Sequence, residues 1–399
     1  MRPPAFRNPG IAIAHPWLGH GGSEARVMWS LQGLRGLGRL SLLTLGPVDL
    51  PALNLAYGTS VRDDDFEVRR PRVGRMLEHM KAGDALRGSI FQRFCRSVGA
   101  EFDVLVSAYN LCDFGVPAIH CIADFCWDVE LVRSLHPLSG GVRGAFQRGT
   151  LRKAYMYLAR SCAKPSSRDL FAGEDMIFAN SHWSADILKK RYGVVAEVLY
   201  PPVRWEFPSV PPAEKENGFV CLGRIAPEKR VEEAVEIVEA VRDRGHDVHL
   251  HVIGGLGGHY GESIRLLCEP RKSWVSLEGP LYGKAKCEML ARHRYGIHAC
   301  RGEAFGIAVA EMVKAGCIPF IPDEGGQTEI VAAPELTYPN ADEAAARIDT
   351  VLRTPSLESS LRERLALQAQ RFSPERFMAG IRDAVERFMA RKRDGEAGL

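Results

Sequence analysis

Two cations and two carboxylates in the second half of the chain carry types and spacing that suit phosphate chemistry. Gly223-Arg224-Ile225-Ala226-Pro227-Glu228-Lys229-Arg230 directly follows an apolar run. Arg224 and Lys229, five positions apart on a strand-to-helix loop, are placed to point into a cleft above strand ends, where α/β sheets take their ligands. Arginine offers phosphate a planar fork, and lysine a compact point charge. Read without a ligand, the same segment is a solvated charged loop. Farther on, seven residues separate Glu303 from Glu311. A helix is predicted over Phe305–Ala315, stopping at Gly316, a natural C-terminal cap residue. The start of that helix offers free backbone N–H groups and the positive end of its dipole, so a diphosphate can rest there without a metal. Glu311 lies inside an otherwise apolar helix, a costly place for a carboxylate unless a salt bridge or a ligand hydroxyl meets it. Together these parts can stabilise the negative charge that develops on a nucleoside diphosphate as a glycosidic bond breaks. No metal or other cofactor is called for.

The elements that must position these residues read as strands alternating with helices. In the first half, Ile11–Ala14, Leu40–Leu45, Asp103–Ser107, Pro117–Ile122, Met176–Ala179 and Val194–Leu199 read as strands. A glycine loop, Leu18–Ser23, precedes a helix over Glu24–Leu34 with Ser23 as its N-cap. Ser181–Arg191 is a second helix. Tyr200-Pro201-Pro202 breaks the chain, and the stretch to Gly218 reads as a linker. The alternation then restarts with strands Phe219–Leu222, Val248–Ile253, Val275–Leu277, Gly296–Cys300 and Cys317–Ile321. Helices are read over Val231–Arg242 and around Lys284–His293, with a last one from about Ser373. Strand–helix alternation argues for parallel sheets of βαβ units. The expected organisation is two Rossmann-like domains facing one cleft. Residues 1–203 form the acceptor side together with a returning helix, 373–399, and residues 204–372 bind the nucleotide.

Composition agrees with a soluble globular chain: 399 residues, 46% hydrophobic and 25% charged. The net charge of +3 gives no argument for nucleic acid. Ten cysteines are scattered without a CxxC pair, and none joins histidines at zinc-ligand spacing. They read as reduced, mostly buried thiols of a cytosolic protein. The opening MRPPAFRNPGIAIAHPW is neither a signal peptide nor a membrane span. Between Arg133 and Arg168 lie Arg143, Arg148, Arg152, Lys153, Arg160 and Lys164 with no acidic residue. Residues 69–96 are also basic and carry Met76, Leu77, Met80, Leu86, Ile90, Phe91 and Phe94. Such stretches suit an anionic membrane surface or a polyprenyl-pyrophosphate acceptor, or a plain solvated helix face.

Glu303 and Glu311 match the EX7E motif of retaining GT-B glycosyltransferases of glycosyltransferase family four. The segment HACRGEAFGIAVAEMVKAGCIPFIPDEGGQTEIV resembles that family throughout, as does FVCLGRIAPEKR, and Gly21-Gly22 resembles its N-terminal glycine loop. The resemblance implies a GT-B fold and a nucleotide-sugar donor. By it, Glu303 faces the transferred sugar, Glu311 the donor ribose, and Arg224 and Lys229 the diphosphate. Backbone groups of Phe305, Gly306 and Ile307 contact phosphate or sugar, and the base lies near Leu281 and Tyr282. A histidine closing an N-domain strand contacts the sugar in this family, and His120 is the matching residue; Asp124, His15 and His20 are weaker choices. HPWLGHGGSEARVMW and FANSHWSADILKKRYGVVAEVLYPPV are similar to segments of the eukaryotic mannosyltransferases that extend the dolichol-linked oligosaccharide. That likeness makes GDP-mannose the leading donor and a glycan or lipid-linked molecule the acceptor, with UDP-sugars the other choice in the family at large. It implies a cytoplasmic enzyme with room for a peripheral place at the inner membrane face. An epimerase or hydrolase on the same fold and a non-catalytic sugar-nucleotide binder are the rivals. An NAD dehydrogenase fits least, because Gly19–Gly22 lacks the GxGxxG spacing.

Overall fold

The structure is a computed structural model that describes residues 8–19, 21–72, 84–136, 157, 161, 163, 169–171, 173–203 and 206–397. Two parallel sheets organise it. The first contains β1 (Gly10–Ala14), β2 (Arg39–Leu43), β3 (Phe66–Arg69), β4 (Val104–Ser107), β5 (Ile119–Ile122), β6 (Met176–Ala179) and β7 (Glu197–Val198), in the order β3-β2-β1-β4-β5-β6-β7. The second contains β8 (Glu216–Leu222), β9 (His249–Ile253), β10 (Val275–Gly279), β11 (His293–Ile297), β12 (Ile318–Pro322) and β13 (Thr337–Tyr338), in the order β10-β9-β8-β11-β12-β13. Both follow the doubly wound pattern, so each has a switch point, between β1 and β4 and between β8 and β11. The strands at the first of these points, GIAIA in β1 and VLVS in β4, are short apolar runs buried on both faces, as parallel sheets require.

Helices α1 (Gly22–Gly33), α2 (Leu50–Tyr57), α3 (Asp84–Val98), α4 (Val129–Leu135) and α5 (His182–Tyr192) accompany the first sheet. Helices α6 (Val231–Asp243), α7 (Gly258–Cys268), α8 (Gly283–Ala291), α9 (Ile307–Lys314), α10 (Thr328–Val331), α11 (Ala341–Arg353) and α12 (Pro355–Ala369) accompany the second. The last helix, α13 (Pro374–Ala397), returns to the first sheet, where Phe377, Ile381, Ala384, Val385 and Phe388 join Val27, Met28 and Leu31 of α1 in one buried cluster. Each such aromatic or aliphatic side chain contributes about 1.5–3 kcal/mol by leaving water. Gly33 permits the close approach, since a Cβ there would lie 2.9 Å from Met378.

Several local expectations need correction. Ser23 is not the N-cap of α1. Gly21 occupies that position, and the Ser23 hydroxyl donates instead to Glu24 Oε2 at 2.8 Å. The helix after Glu303 begins at Ile307 rather than Phe305, because Gly306 takes a left-handed φ of 96° and starts a new direction. It ends at Lys314 with a Schellman pattern: Gly316 N donates to Val313 O at 3.0 Å and Cys317 N to Met312 O at 2.9 Å. The strand read at Gly296–Cys300 begins earlier, at His293. The sequence reading passes over β3, β13, α2, α4, α7, α10, α11 and α12. His20, Met76, Leu77, Met80 and the basic residues Arg143, Arg148, Arg152, Lys153, Arg160, Lys164 and Arg168 lie outside the described residues. Among the described residues, no helix is long and apolar enough to cross a membrane.

Candidate active site

The carboxyl end of β8 leads through Gly223 into the short turn that carries Lys229, and the carboxyl end of β11 leads to His298, Cys300 and Glu303. These loops meet at the switch point of the second sheet. The Lys229 ammonium donates to Glu303 Oε2 in a short ion pair, with His298 Nε2 3.5 Å from the same oxygen and Cys300 Sγ 3.9 Å from Lys229 Nζ. Only about a fifth of either charged side chain is exposed (19% and 20%). Burial alone would push the Glu303 carboxyl up, but Lys229 and then His298 hold it well below the ordinary carboxylate range. Burial likewise opposes charge on Lys229, yet Glu303 keeps its pKa above that of a free lysine. At neutral pH the pair is therefore a carboxylate and an ammonium.

Helix α9 starts beside this pair. Gly306 caps it with backbone alone, so the N–H groups of its first turn face outward without a side-chain partner. Glu311, one turn farther, is 8% exposed and is met by Lys286 Nζ of α8 at 2.6 Å. The ion pair answers the burial problem that the sequence poses at Glu311. Lys286 itself is a site residue that sequence reading missed, because nothing in the run Gly283-Lys284-Ala285-Lys286 shows which lysine turns inward. Lys284 pairs on the exposed face with Glu288 at 3.4 Å.

The glycine loop of the first sheet closes over α9. A Cβ on Gly22 would lie 2.3 Å from Ile307 Cδ1. Tyr57 of α2 holds that loop, its hydroxyl donating to Gly19 O at 3.1 Å and Gly21 O at 2.9 Å. Burial, Glu24 and Glu311 all raise the Tyr57 phenol, which stays protonated as the donor. Gly21 and Gly22 thus take part by close backbone approach. Tyr282 is half exposed at the start of α8, and Leu281 packs on the core beside it.

The two units lock together on the loop that carries Glu303. Ser181 and Ser184 hydroxyls at the start of α5 donate to Ala304 O at 2.6 and 3.0 Å. Gly326 N donates to Glu303 O at 2.8 Å, and a Cβ on Gly326 would lie 2.3 Å from Ala304 O. Gln327 Nε2 donates to Cys300 O at 2.8 Å. Glu329 accepts from His182 N at 3.1 Å, Trp183 N at 2.9 Å and the Tyr200 hydroxyl at 2.9 Å. The Phe305 side chain is buried against Tyr200 and Phe372, so only its backbone is available to a ligand.

One expectation changes. His120 does not face the cleft. It is fully buried early in β5, with Nε2 3.3 Å from Asp175 Oδ1 and Nδ1 accepting from Cys112 N at 3.4 Å. Its register partner is Ser107, the last residue of β4, so it is level with the carboxyl ends of the central strands, but its ring is turned into the first unit by these contacts. Arg224 is 79% exposed and pairs with Glu228 at 3.1 Å on the loop that also carries Lys229, where the two cations act on each other electrostatically. Asp124 accepts from Asn110 Nδ2 at 2.7 Å and from Cys126 N at 2.9 Å, the loop-capping role. His136, at the end of α4, is a first-unit imidazole on which the charges of Glu303, Glu228 and Lys229 act. Its pKa is lowered chiefly by burial, against the raising influence of Glu303 and Glu228, while Leu135 lies over Gly302 with its Cδ2 3.3 Å from where a Cβ would stand. Sequence reading missed His136 because no strand end or motif marks it.

Residues 203–372 match the family described as glycosyl transferases group 1. That segment holds Lys229, Lys286, Glu303 and Glu311. A GDP-Man:Man(3)GlcNAc(2)-PP-Dol alpha-1,2-mannosyltransferase of Neurospora crassa is 25% identical over 310 residues, 66% of this chain and 55% of that protein. The chain thus spans about half the length of the curated relative. Among solved structures, Anabaena HepE in complex with UDP and glucose superposes with a TM-score of 0.65 at 14% identity, covering 95% of this chain and 99% of that one. WaaG, a glycosyltransferase involved in lipopolysaccharide biosynthesis, gives a TM-score of 0.65 at 15% identity over 94% and 99%. The fold is GT-B: two Rossmann-like units, the second carrying the group 1 glycosyltransferase match.

Proposed function

We propose that the chain is a retaining, metal-independent glycosyltransferase of family four that moves a sugar from a nucleotide-sugar donor, with mannose from GDP-mannose as the leading choice, to a glycan or lipid-linked acceptor. The Lys229–Glu303 pair carries the reading. It stands at the carboxyl ends of the second sheet's strands, beside the uncapped start of α9 and under the glycine loop of the first sheet. Lys229 and the backbone N–H groups of Ile307 and its neighbours supply the positive charge that a departing diphosphate needs, which replaces the Lewis acid of metal-dependent relatives of the reaction. Glu311, fixed by Lys286, is placed to accept from the donor ribose. Glu303 faces the transferred sugar, with His136 as the first unit's nearby imidazole. Arg224, on the same loop as Lys229, is the second cation for the diphosphate. In the front-face course we favour, the C1–O bond to the diphosphate breaks, the acceptor oxygen bonds to C1 on the same face, and its proton passes to the departing phosphate oxygen.

The Neurospora relative's GDP-mannose supports the donor choice; the UDP of the Anabaena structure keeps the alternative in the test. A cytoplasmic enzyme with its basic stretches on an anionic membrane completes the proposal. The test is a thermal-shift series with GDP, UDP, ADP and their sugars in EDTA, followed by anomer analysis of the product. A selective GDP response and a retained α-anomer support the reading. A UDP response keeps the family and removes mannose. Free sugar or an epimer formed without acceptor identifies the hydrolase or epimerase, and binding without turnover identifies the non-catalytic binder.

A further inference from the structure

At the end of the second sheet opposite Glu303, four side chains converge that the sugar-transfer reading does not use. Glu216 opens β8, His249 and His251 lie at the start of β9, and His293 opens β11. His249 Nε2 is 3.1 Å from His293 Nε2 and 3.3 Å from Glu216 Oε2, and His293 Nε2 is 3.4 Å from that same oxygen. A ligand atom of His251 joins them, all four within 4.8 Å of one another. In a tetrahedral site with bonds of about 2.0–2.1 Å, ligand atoms stand about 3.3 Å apart. The three measured separations bracket that edge length.

The surroundings are built to present lone pairs inward. His293 Nδ1 donates to Met289 O at 2.7 Å, which leaves Nε2 as the lone-pair nitrogen. His251 Nδ1 lies 2.6 Å from Glu278 Oε1 on β10, the carboxylate–histidine arrangement that raises ligand basicity at metal centres. Arg292 Nε sits 3.2 Å from Glu216 Oε1 and so orients the carboxylate with Oε2 toward the imidazoles. The His249 ring occupies space that Gly218 leaves open, since a Cβ at 218 would lie 2.2 Å from Nε2. The rings stand 4.7–5.2 Å apart in edge-on contact, an arrangement that three charged imidazolium rings would oppose.

We infer that Glu216, His249, His251 and His293 form a closed site for a divalent transition-metal ion of the zinc class, a clamp across β8, β9 and β11. Three imidazole nitrogens and one carboxylate suit Zn2+, and four protein ligands leave no open position for chemistry. The site is separate from the Lys229–Glu303 centre, at the other end of the same strands. Its ligands were not legible as a motif because they come from three strands, with 33 and 42 positions between successive groups.

The test uses the full chain, stripped with a chelator, exposed to one equivalent of Zn2+, desalted, and assayed for bound metal; Co2+ in its place reads coordination through its visible bands. The expected result is one ion retained per chain and tetrahedral Co2+ bands. Because His293 is fully buried and its replacement endangers folding, the diagnostic variants are the more accessible His249→Gln and Glu216→Gln, each of which should lose retention. Glu278→Gln should weaken it about 10–100-fold. His246→Gln, paired elsewhere with Asp349, should change nothing. Absence of retained metal in the native chain overturns the inference, as does retention that His249→Gln and Glu216→Gln leave untouched, which would place the ion on other residues.

Discussion

Breaking the Lys229–Glu303 pair from each side separates its structural role from its chemical one. Removing one partner of a wholly buried pair costs about 3–5 kcal/mol, because the other charge is left without compensation. Here each side chain keeps about a fifth of its exposure, so water screens part of that penalty and we expect about 2–3 kcal/mol for Glu303→Gln or Lys229→Met. For a unit of this size that lowers Tm by roughly 4–10 °C. The double variant should recover part of the loss, a coupling of about 1–2 kcal/mol in a double-mutant cycle. The pH dependence has a definite sign. Glu303 is depressed, so its contribution is present above the ordinary glutamate range and is lost only as pH falls through its lower folded value; Lys229 is raised, so its contribution is lost only above the ordinary lysine range. The Tm gap to the native chain should therefore stay constant across roughly pH 6–9. Nucleotide binding should split the two variants. Lys229→Met should weaken GDP about 10- to 150-fold through loss of a charge-assisted bond worth about 1.5–3 kcal/mol. Glu303→Gln frees the lysine and should bind GDP at least as well as the native chain. Both should lower sugar transfer at least about a hundredfold. Two folded single variants with native Tm and near-native transfer would refute the assignment.

Lys286→Met leaves Glu311 buried without its partner, and should weaken GDP-sugar binding about tenfold by calorimetry, while Lys284→Met on the exposed face should leave it unchanged. Gly326→Ala drives a Cβ into Ala304 O, so we expect a stability loss of about 1–3 kcal/mol and a fall in transfer rate larger than the change in donor affinity. His15 is held at about 4 chiefly by burial, with Glu24 opposing. Below about pH 6.5 the unfolded chain takes up a proton that the folded chain refuses until about pH 4, so stability should decline across that window by up to about 3 kcal/mol, and His15→Asn should flatten the decline in a pH-resolved melt.

Much of the fold is legible because buried parallel strands are written as short apolar runs. GIAIA, VLVS and MIFA can hardly be anything else. Boundaries shift where a single backbone conformation decides them, as at Gly306, whose left-handed φ delays α9 by two residues. The site is half legible. Glu303, Glu311 and Lys229 stand in local patterns that keep their spacing when folded. His120 misleads because a place level with the carboxyl ends of β1 and β4 does not say which way a side chain turns: its ring is fully buried on Asp175 and the Cys112 backbone. Lys286 comes from a separate element and becomes a neighbour of Glu311 only through tertiary packing, which no spacing encodes.

The return of α13 to α1 has a consequence for how the chain is made. Residues 27–31 emerge from the ribosome with an apolar face whose covering side chains, Phe377 to Phe388, are synthesised about 350 residues later. Until then the first sheet has one flank open, and the second sheet, contiguous from 216 to 338, can finish first. A nascent chain therefore keeps the apolar face of α1 uncovered until α13 is made, and a truncation just before Pro374 would harm the first sheet more than the second.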